Sequence, residues 1–304
     1  MNLRQIEVFR ATMLAGSTTD AARLLHVSQP GISRMISHIE LQLGVQLFER
    51  GKGRLRPTPE AHALHAEIEQ VYHGVKRIEA RAQALRHGGG QTLKVLASPS
   101  LLLEVVPRTI ATLAADYPEA KIYVESQLVR DMTRLLSTGE ADVGISTLPV
   151  DHAPLLAKDI GGWTLSCVFL KGHHFEQQAS VSLSEIWKEH LIAFSADTPQ
   201  GRFLAQSSAQ AARGTRPQIE VRSGQLACAL VAAGGGIAIV DSLTARAWPG
   251  DQLSFRPIKR APAYRVHAIR NPNFPGSAIE QEFVERIRKH LGTHSTARAA
   301  TLTK

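Results

Sequence analysis

A chain of 304 residues, 43% of them hydrophobic, holds enough apolar material for two or three packed domains, which excludes a wholly disordered protein. The formal net charge is +8, and residues 1–56 carry eight Lys and Arg against four Asp and Glu; this modest basic excess suits a specific nucleic-acid partner and excludes a charge-driven coating protein. Met1 to Arg10 contains no apolar signal core, no run approaches a membrane span, and Cys167 and Cys228 are the chain's cysteines, so a cytoplasmic protein with no membrane contact, no metal site and no cofactor is expected.

Thr18 to Gly44 reads as two short helices around a tight turn. Thr18 or Thr19 is placed to cap the first, with Ala21, Ala22, Leu24 and Leu25 on its buried side. Val27 and Ser28 make the corner, and Pro30 falls where a helix's first turn tolerates a missing N–H. Ile32, Met35, Ile36, Ile39 and Leu43 recur at helical spacing until Gly44 ends the second helix. Its start and opposite flank carry Ser28, Gln29, Pro30, Ser33, Arg34, Ser37 and His38, a low-bulk face of donors and acceptors suited to base edges in the major groove. An ordinary helical hairpin with a solvated face would share this pattern. Leu47–Thr58 follows, with Arg50, Lys52, Arg54 and Arg56 around Gly51 and Gly53; a basic hairpin after such a helix reads as a wing for phosphate or the minor groove.

On LRQIEVF near the start, AARLLHVSQPGISR through the turn, IELQLGVQLFER and PTPEA, residues 1–58 resemble the winged helix-turn-helix of the LysR-type transcriptional regulators. The resemblance extends to about residue 291. The chain departs from the family by placing Glu60-Ala61 where a glycine is usual after the wing threonine. The MNLRQIEVFRATML opening and Ile239–Ala245 (IVDSLTA) resemble the opine regulators, those of octopine and nopaline catabolism, more than the family average.

After the wing, Ala61, Leu64, Ile68, Val71, Val75, Ile78, Ala82 and Leu85 alternate spacings of three and four, a heptad seam with charged flanks. Such a narrow stripe must be covered, and a second copy of the chain fits it better than its own domain. The seam predicts a homodimer, with the family resemblance extending this to a homotetramer, and paired heads predict a roughly palindromic site on double-stranded DNA. His87-Gly88-Gly89-Gly90 then breaks the helix.

From Thr92 strands alternate with helices. TLKVLAS, KIYVES and ADVGIS are strands separated by helices Leu101–Ala115 and Val129–Thr138; WTLSCVFLK begins a second series with LIAFS, QIEVR and GIAIVDS, and helices Arg202–Ala212 and Gln225–Ala233 between them. YRVHAIR and a helix around Ile279–His290 close the pattern. The fold class expected is α/β: a winged helix-turn-helix (1–58), a dimerisation helix and hinge (59–91), and an effector domain like the type-2 periplasmic binding proteins (92–291), built around mainly parallel sheet. By the resemblance its first subdomain is 92–162 with 266–291, its second 163–265, and 292–304 is a disordered tail.

In open α/β sheets ligands sit at the carboxyl ends of strands beside helix N-termini. Ser98-Pro99-Ser100 occupies such a place, where two hydroxyls and free helical N–H groups make an anion site, or where one serine simply caps a helix. The resemblance favours the anion site, because effector carboxylates are held at this loop. Ser126-Gln127, Ser146-Thr147 and Phe194-Ser195 end other strands, and Asp197 and Thr198 follow. Asp241 stands where the family more often has proline; it is either a cap for the next helix or a counter-charge for a cationic group of the effector, which points to an amino-acid or opine-like zwitterion. Gly234-Gly235-Gly236 reads as a helix-ending turn, His173-His174 as solvated loop, and both cysteines as small buried residues.

No GxSxG, HExxH or GxxxxGK[ST] sequence is present, and an enzyme is not expected. The reading is a DNA-binding regulator controlled by a small carboxylate, with RNA polymerase a candidate further partner. Its rivals are a thiol-redox regulator using Cys167 and Cys228, and a small-molecule-binding protein without a regulatory DNA role.

Overall fold

The computed structural model describes residues 1–51, 54–86, 91–206, 218–248 and 250–301, and forms two compact units, Met1–His87 and Gly88–Lys304. Lys52 lies outside the described residues, as do the side chains of Arg50, Arg54, Val71, Ile78, Ala82 and Leu85.

In the first unit, α1 (Leu3–Ala15) starts with a reciprocal capping box between Asn2 and Gln5 and stops at Gly16, whose φ of 67° is left-handed. The cap of α2 (Thr18–Leu24) is Ser17 rather than either threonine: its hydroxyl accepts the Asp20 N–H at 3.0 Å. Ala21 and Ala22 are buried as expected, but Leu24 is 60% exposed, because it falls on the outer flank of a helix too short to turn all four apolar residues inward. The corner includes His26 at a positive φ of 53°. Helix α3 (Gln29–Leu43) carries Pro30 in its first turn and ends at Gly44. Ile32, Ile36 and Ile39 face the core, while Leu43 is exposed. The wing is the antiparallel pair β1 (Phe48–Gly51) and β2 (Arg54–Pro57), anchored by the Glu40 carboxylate, which accepts the Leu47 and Phe48 N–H groups at 2.8 and 3.0 Å.

Helix α4 (Pro59–Arg86) corrects the seam. Ala61 and Ile68 are buried inside the unit, with Leu64 packed alongside, in one cluster with Val8, Phe9 and Phe48. Arg10 of α1 holds the helix through Glu69 at 2.6 Å and lies 3.9 Å from the Tyr72 ring centroid. The first turns of the stripe are therefore intramolecular core, and Val75, 37% exposed, is where the stripe emerges. Val71, Ile78, Ala82 and Leu85 belong to the part of the seam whose side chains lie outside the described residues.

The second unit contains two five-stranded sheets among the described residues. The first is ordered β4 (Lys121–Ser126), β3 (Thr92–Ala97), β5 (Val143–Ser146), β12 (Tyr264–Arg270), β6 (Leu156–Trp163); the second β11 (Leu253–Pro257), β7 (Leu165–Leu170), β10 (Ile237–Asp241), β8 (Leu191–Phe194), β9 (Ile219–Val221). Each pairs β-strands in parallel on one side and antiparallel on the other, so both are mixed rather than mainly parallel. The antiparallel partners arise because the chain crosses between the halves twice, from β6 into β7 and from β11 into β12. The sequence reading lacks β6 and β11.

The helices are α5 (Val105–Asp116), α6 (Val129–Ser137), α7 (Leu183–Ile186), α8 (Pro199–Gln206), α9 (Gly224–Ala232), α10 (Ser242–Ala247) and α11 (Ala278–Thr301). The expected helix from Leu101 is split: Pro99–Leu102 forms a 3-10 turn, and α5 starts only after Glu104. Residues 207–212, the rest of the expected helix Arg202–Ala212, lie outside the described residues. The chain end is also corrected, since α11 runs helical past residue 291 to Thr301 where a disordered tail was expected. One apolar cluster runs from Leu93 and Ile145 through Trp163 and Leu165 to Phe283, so the two halves share core at the crossing strands.

Candidate functional site

On α3 the predicted reading face is open. Ser28, Gln29, Pro30, Arg34, Ser37 and His38 are exposed and Ser33 half-buried, opposite the Ile32–Ile36–Ile39 core stripe. Two of these side chains are tethered: Gln29 donates to the Thr18 hydroxyl at 3.0 Å, and Arg34 Nε to the Pro30 carbonyl at 3.3 Å. His38 Nδ1 lies 3.1 Å from the Gln5 amide, which belongs to the α1 capping box. The face is thus held by the helix packed behind it.

The second site is built where the two sheets of the second unit meet. β3 ends at Ala97, and the chain turns at Ser98 because Pro99 cannot extend a parallel ladder. Ser98 is buried; its N–H donates to Ile145 at 2.9 Å, and its hydroxyl accepts the Thr147 N–H at 3.1 Å, which leaves the hydroxyl proton to donate. Across the junction, the Ser100 hydroxyl donates to Asp241 Oδ2 at 3.1 Å, and the Gln225 amide donates to the Pro99 carbonyl at 3.2 Å. Thr164 and Ser242 exchange two bonds beside them, at 2.8 and 3.2 Å.

Asp241 is 4% exposed and caps α10: Oδ1 accepts the Thr244 N–H and Oδ2 the Thr244 hydroxyl, both at 2.8 Å. Burial pushes its pKa above the usual carboxylate value, against the pull of these donors. The start of α9 abuts it, since a Cβ on Gly224 would lie 3.4 Å from Oδ2.

Ser195, Asp197 and Thr198 form a separate polar group past β8. Ser195 donates to Glu220 at 2.6 Å, Arg222 donates to Asp197 at 2.5 Å and holds that carboxyl below its usual pKa, and Thr198 caps α8 by accepting the Gly201 N–H at 3.0 Å. Gly201 permits this close turn: a Cβ there would lie 2.1 Å from the Ser195 carbonyl oxygen. Two residues not singled out in the sequence join the groups. Trp163 donates through Nε1 to the Thr147 carbonyl at 3.0 Å and stacks on Tyr264 at 4.2 Å, and the Tyr264 hydroxyl reaches the Pro199 carbonyl at 3.5 Å. An aromatic at each crossing strand was the readable signal.

Other candidates stand apart. Phe194 is core, in a cluster with Val221 and Cys228. The Ser146 hydroxyl is fully buried and occupied by its own turn through Leu148. Ser126 is exposed, and Gln127 donates to Ala97 at 3.0 Å and to Glu125 at 3.4 Å. Both cysteines are fully buried; burial pushes the Cys167 thiol up strongly and Cys228 up to about 12, which suits packing and opposes thiolate chemistry.

His173 and His174 are not simple solvated loop. With Glu189 they bring potential ligand atoms within 4.8 Å. The His173 Nδ1, however, accepts the Phe175 N–H at 3.3 Å, which leaves the proton on Nε2 in the neutral ring and opposes metal ligation there. No described helix is long and apolar enough to cross a membrane.

The family model "Bacterial regulatory helix-turn-helix protein, lysR family" matches residues 3–62, and "LysR substrate binding domain" matches residues 86–292. The transcriptional activator protein LysR of Escherichia coli is 30% identical over 96% of this chain and 94% of that protein. Regulatory protein NocR of Agrobacterium fabrum is 33% identical over 84% and 86%, and the octopine catabolism/uptake operon regulatory protein OccR of Rhizobium meliloti 30% over 93% and 94%. Among solved structures, CbnR, described as a LysR family transcriptional regulator, matches with a TM-score of 0.67 at 22% identity over 96% of this chain and 99% of that one. Full-length CbnR complexed with its target DNA matches with a TM-score of 0.68 at 23% identity, over 95% and 100%.

Proposed function

Because the chain belongs to the LysR family and is a DNA-binding transcriptional regulator with an effector-binding domain, we propose that its paired heads read a roughly palindromic operator and that a small carboxylate of amino-acid or opine type sets its activity. The observation carrying the effector reading is the Ser98–Ser100 loop at the end of β3, which offers the Ser98 hydroxyl proton and the Ser100 N–H at a junction of two sheets. The octopine regulator among the relatives supports the amino-acid or opine class. Ligand-dependent movement of the two halves would then alter the spacing of the heads through the dimer contacts, to which Val75 and the later seam positions contribute.

The buried thiols do not favour a redox switch, and the open α3 face does not favour a binding protein without a DNA role. On DNA, Gln29, Ser33, Arg34, Ser37 and His38 face bases or adjacent phosphates, while Arg50, Lys52 and Arg54 of the wing contact the backbone. Arg34→Ala should weaken binding to DNA upstream of the protein's own gene by about 1–3 kcal/mol if the guanidinium reads a guanine. Fluorescence anisotropy across a series of operator variants measures this; unchanged affinity and unchanged sequence preference would remove Arg34 from the reading set.

A further inference from the structure

Asp241 is a buried carboxylate that receives three hydrogen bonds, from the Thr244 N–H, the Thr244 hydroxyl and the Ser100 hydroxyl, yet pairs with no Lys, Arg or His among the described residues. Its place is singular in charge terms. The Ser100 hydroxyl that it accepts belongs to the same loop as the proposed carboxylate site, and that hydroxyl carries one proton. An effector carboxylate taking the Ser100 proton would bring a second negative group within about 6 Å of Asp241, adding a normal hydrogen bond to the observed one. It would also release Oδ2 from one of its donors.

Two like charges in a desolvated place repel strongly, and a buried carboxylate stripped of a partner is unfavourable. Both penalties vanish if the incoming molecule carries its own cation. An ammonium or guanidinium group beside the effector's carboxylate replaces Ser100 as a donor to Oδ2 and neutralises the pair. Ser100 lies on the first half and Asp241 on the second, so parting the halves is the movement that uncovers this oxygen.

We propose that Asp241 is the specificity-determining residue of the effector site: it admits carboxylates that bear a neighbouring cation and rejects simple monocarboxylates. This rests on the carboxylate reading given above and adds the charge rule. It also assigns the Ser100 hydroxyl to a contact between halves in the effector-free protein and to the effector carboxylate in the bound one, beside the Ser98 hydroxyl and the Ser100 N–H.

The test compares the full-length protein with Asp241→Asn, which is isosteric and keeps a good helix cap. Binding of the twenty amino acids and octopine is measured by calorimetry against monocarboxylates of matched length, with L-arginine and hexanoate as the reference pair. The wild type should bind at least one zwitterion about tenfold or more tightly than its matched monocarboxylate, and Asp241→Asn should erase that ratio, chiefly by improving the monocarboxylate. An unchanged ratio in Asp241→Asn, with Ser98→Ala abolishing binding of both ligands, overturns the charge rule and leaves the carboxylate site standing. Binding untouched by Ser98→Ala overturns the carboxylate reading and the rule with it, as does failure of every zwitterion in the panel to bind. Cooperative unfolding of each variant at the wild-type temperature shows that the comparison is between folded proteins.

Discussion

At Asp241, burial and capping pull in opposite directions, and the balance has a pH signature. Burial raises the carboxyl pKa above the ordinary value of 3.8. The folded chain therefore retains a proton that the unfolded chain has released, and stability falls as pH rises from 3.8 through the raised folded value. Asparagine cannot ionise and still caps. The unfolding midpoint of Asp241→Asn should gain on the wild type across that window and then hold a constant lead; a difference independent of pH would mean that the carboxylate is not desolvated. The cap was legible, since an aspartate between an apolar strand and a helix is a local pattern. Its Ser100 partner, 141 positions away, was not. The same holds for Trp163 and Tyr264, whose stacking depends on cross-strand register.

Helix α4 shows what periodicity can and cannot decide. The alternating spacing gave a helix with one apolar stripe, and the structure has that helix; a stripe does not say which surface covers it. The Phe9 ring and Arg10 lie on α1, and the ring packing and the Arg10–Glu69 pair bring Ala61, Leu64 and Ile68 onto the unit's own core. Ile68→Glu should thus melt the DNA-reading head, because a buried unpaired charge is commonly destabilising by several kcal/mol. Circular dichroism on heating checks this; a folded head that merely dissociates would return Ile68 to an interchain seam. Leu24 was misread for a related reason, since a seven-residue helix has room for few inward positions.

Over the whole molecule, the two units have separate cores, and calorimetry of the full chain should resolve two transitions. Phe283 is fully buried in the second unit, so Phe283→Ala should lower that transition by about 3–5 kcal/mol of stability and leave the other in place. A single transition shifted as one would show the units to be energetically inseparable. The order of helices and most strands was legible because each βα step is local. β6 was missed because Leu156–Trp163 mixes charges with two glycines, and β11 because the alternation of Leu253–Arg256 lasts only four residues before a proline. These are also the strands beside the crossings, which is why the sheets were expected to be parallel and proved mixed.

The placement of β12 has a consequence for synthesis. It lies inside the first sheet, between β5 and β6, yet its residues, Tyr264–Arg270, are among the last to be made. While the ribosome translates the second half, β5 has no neighbour on that flank, and its ladder groups stay open to any passing strand. The first sheet can therefore be completed only after the second half has been made, so the nascent chain carries an open strand edge while residues 147–263 are translated.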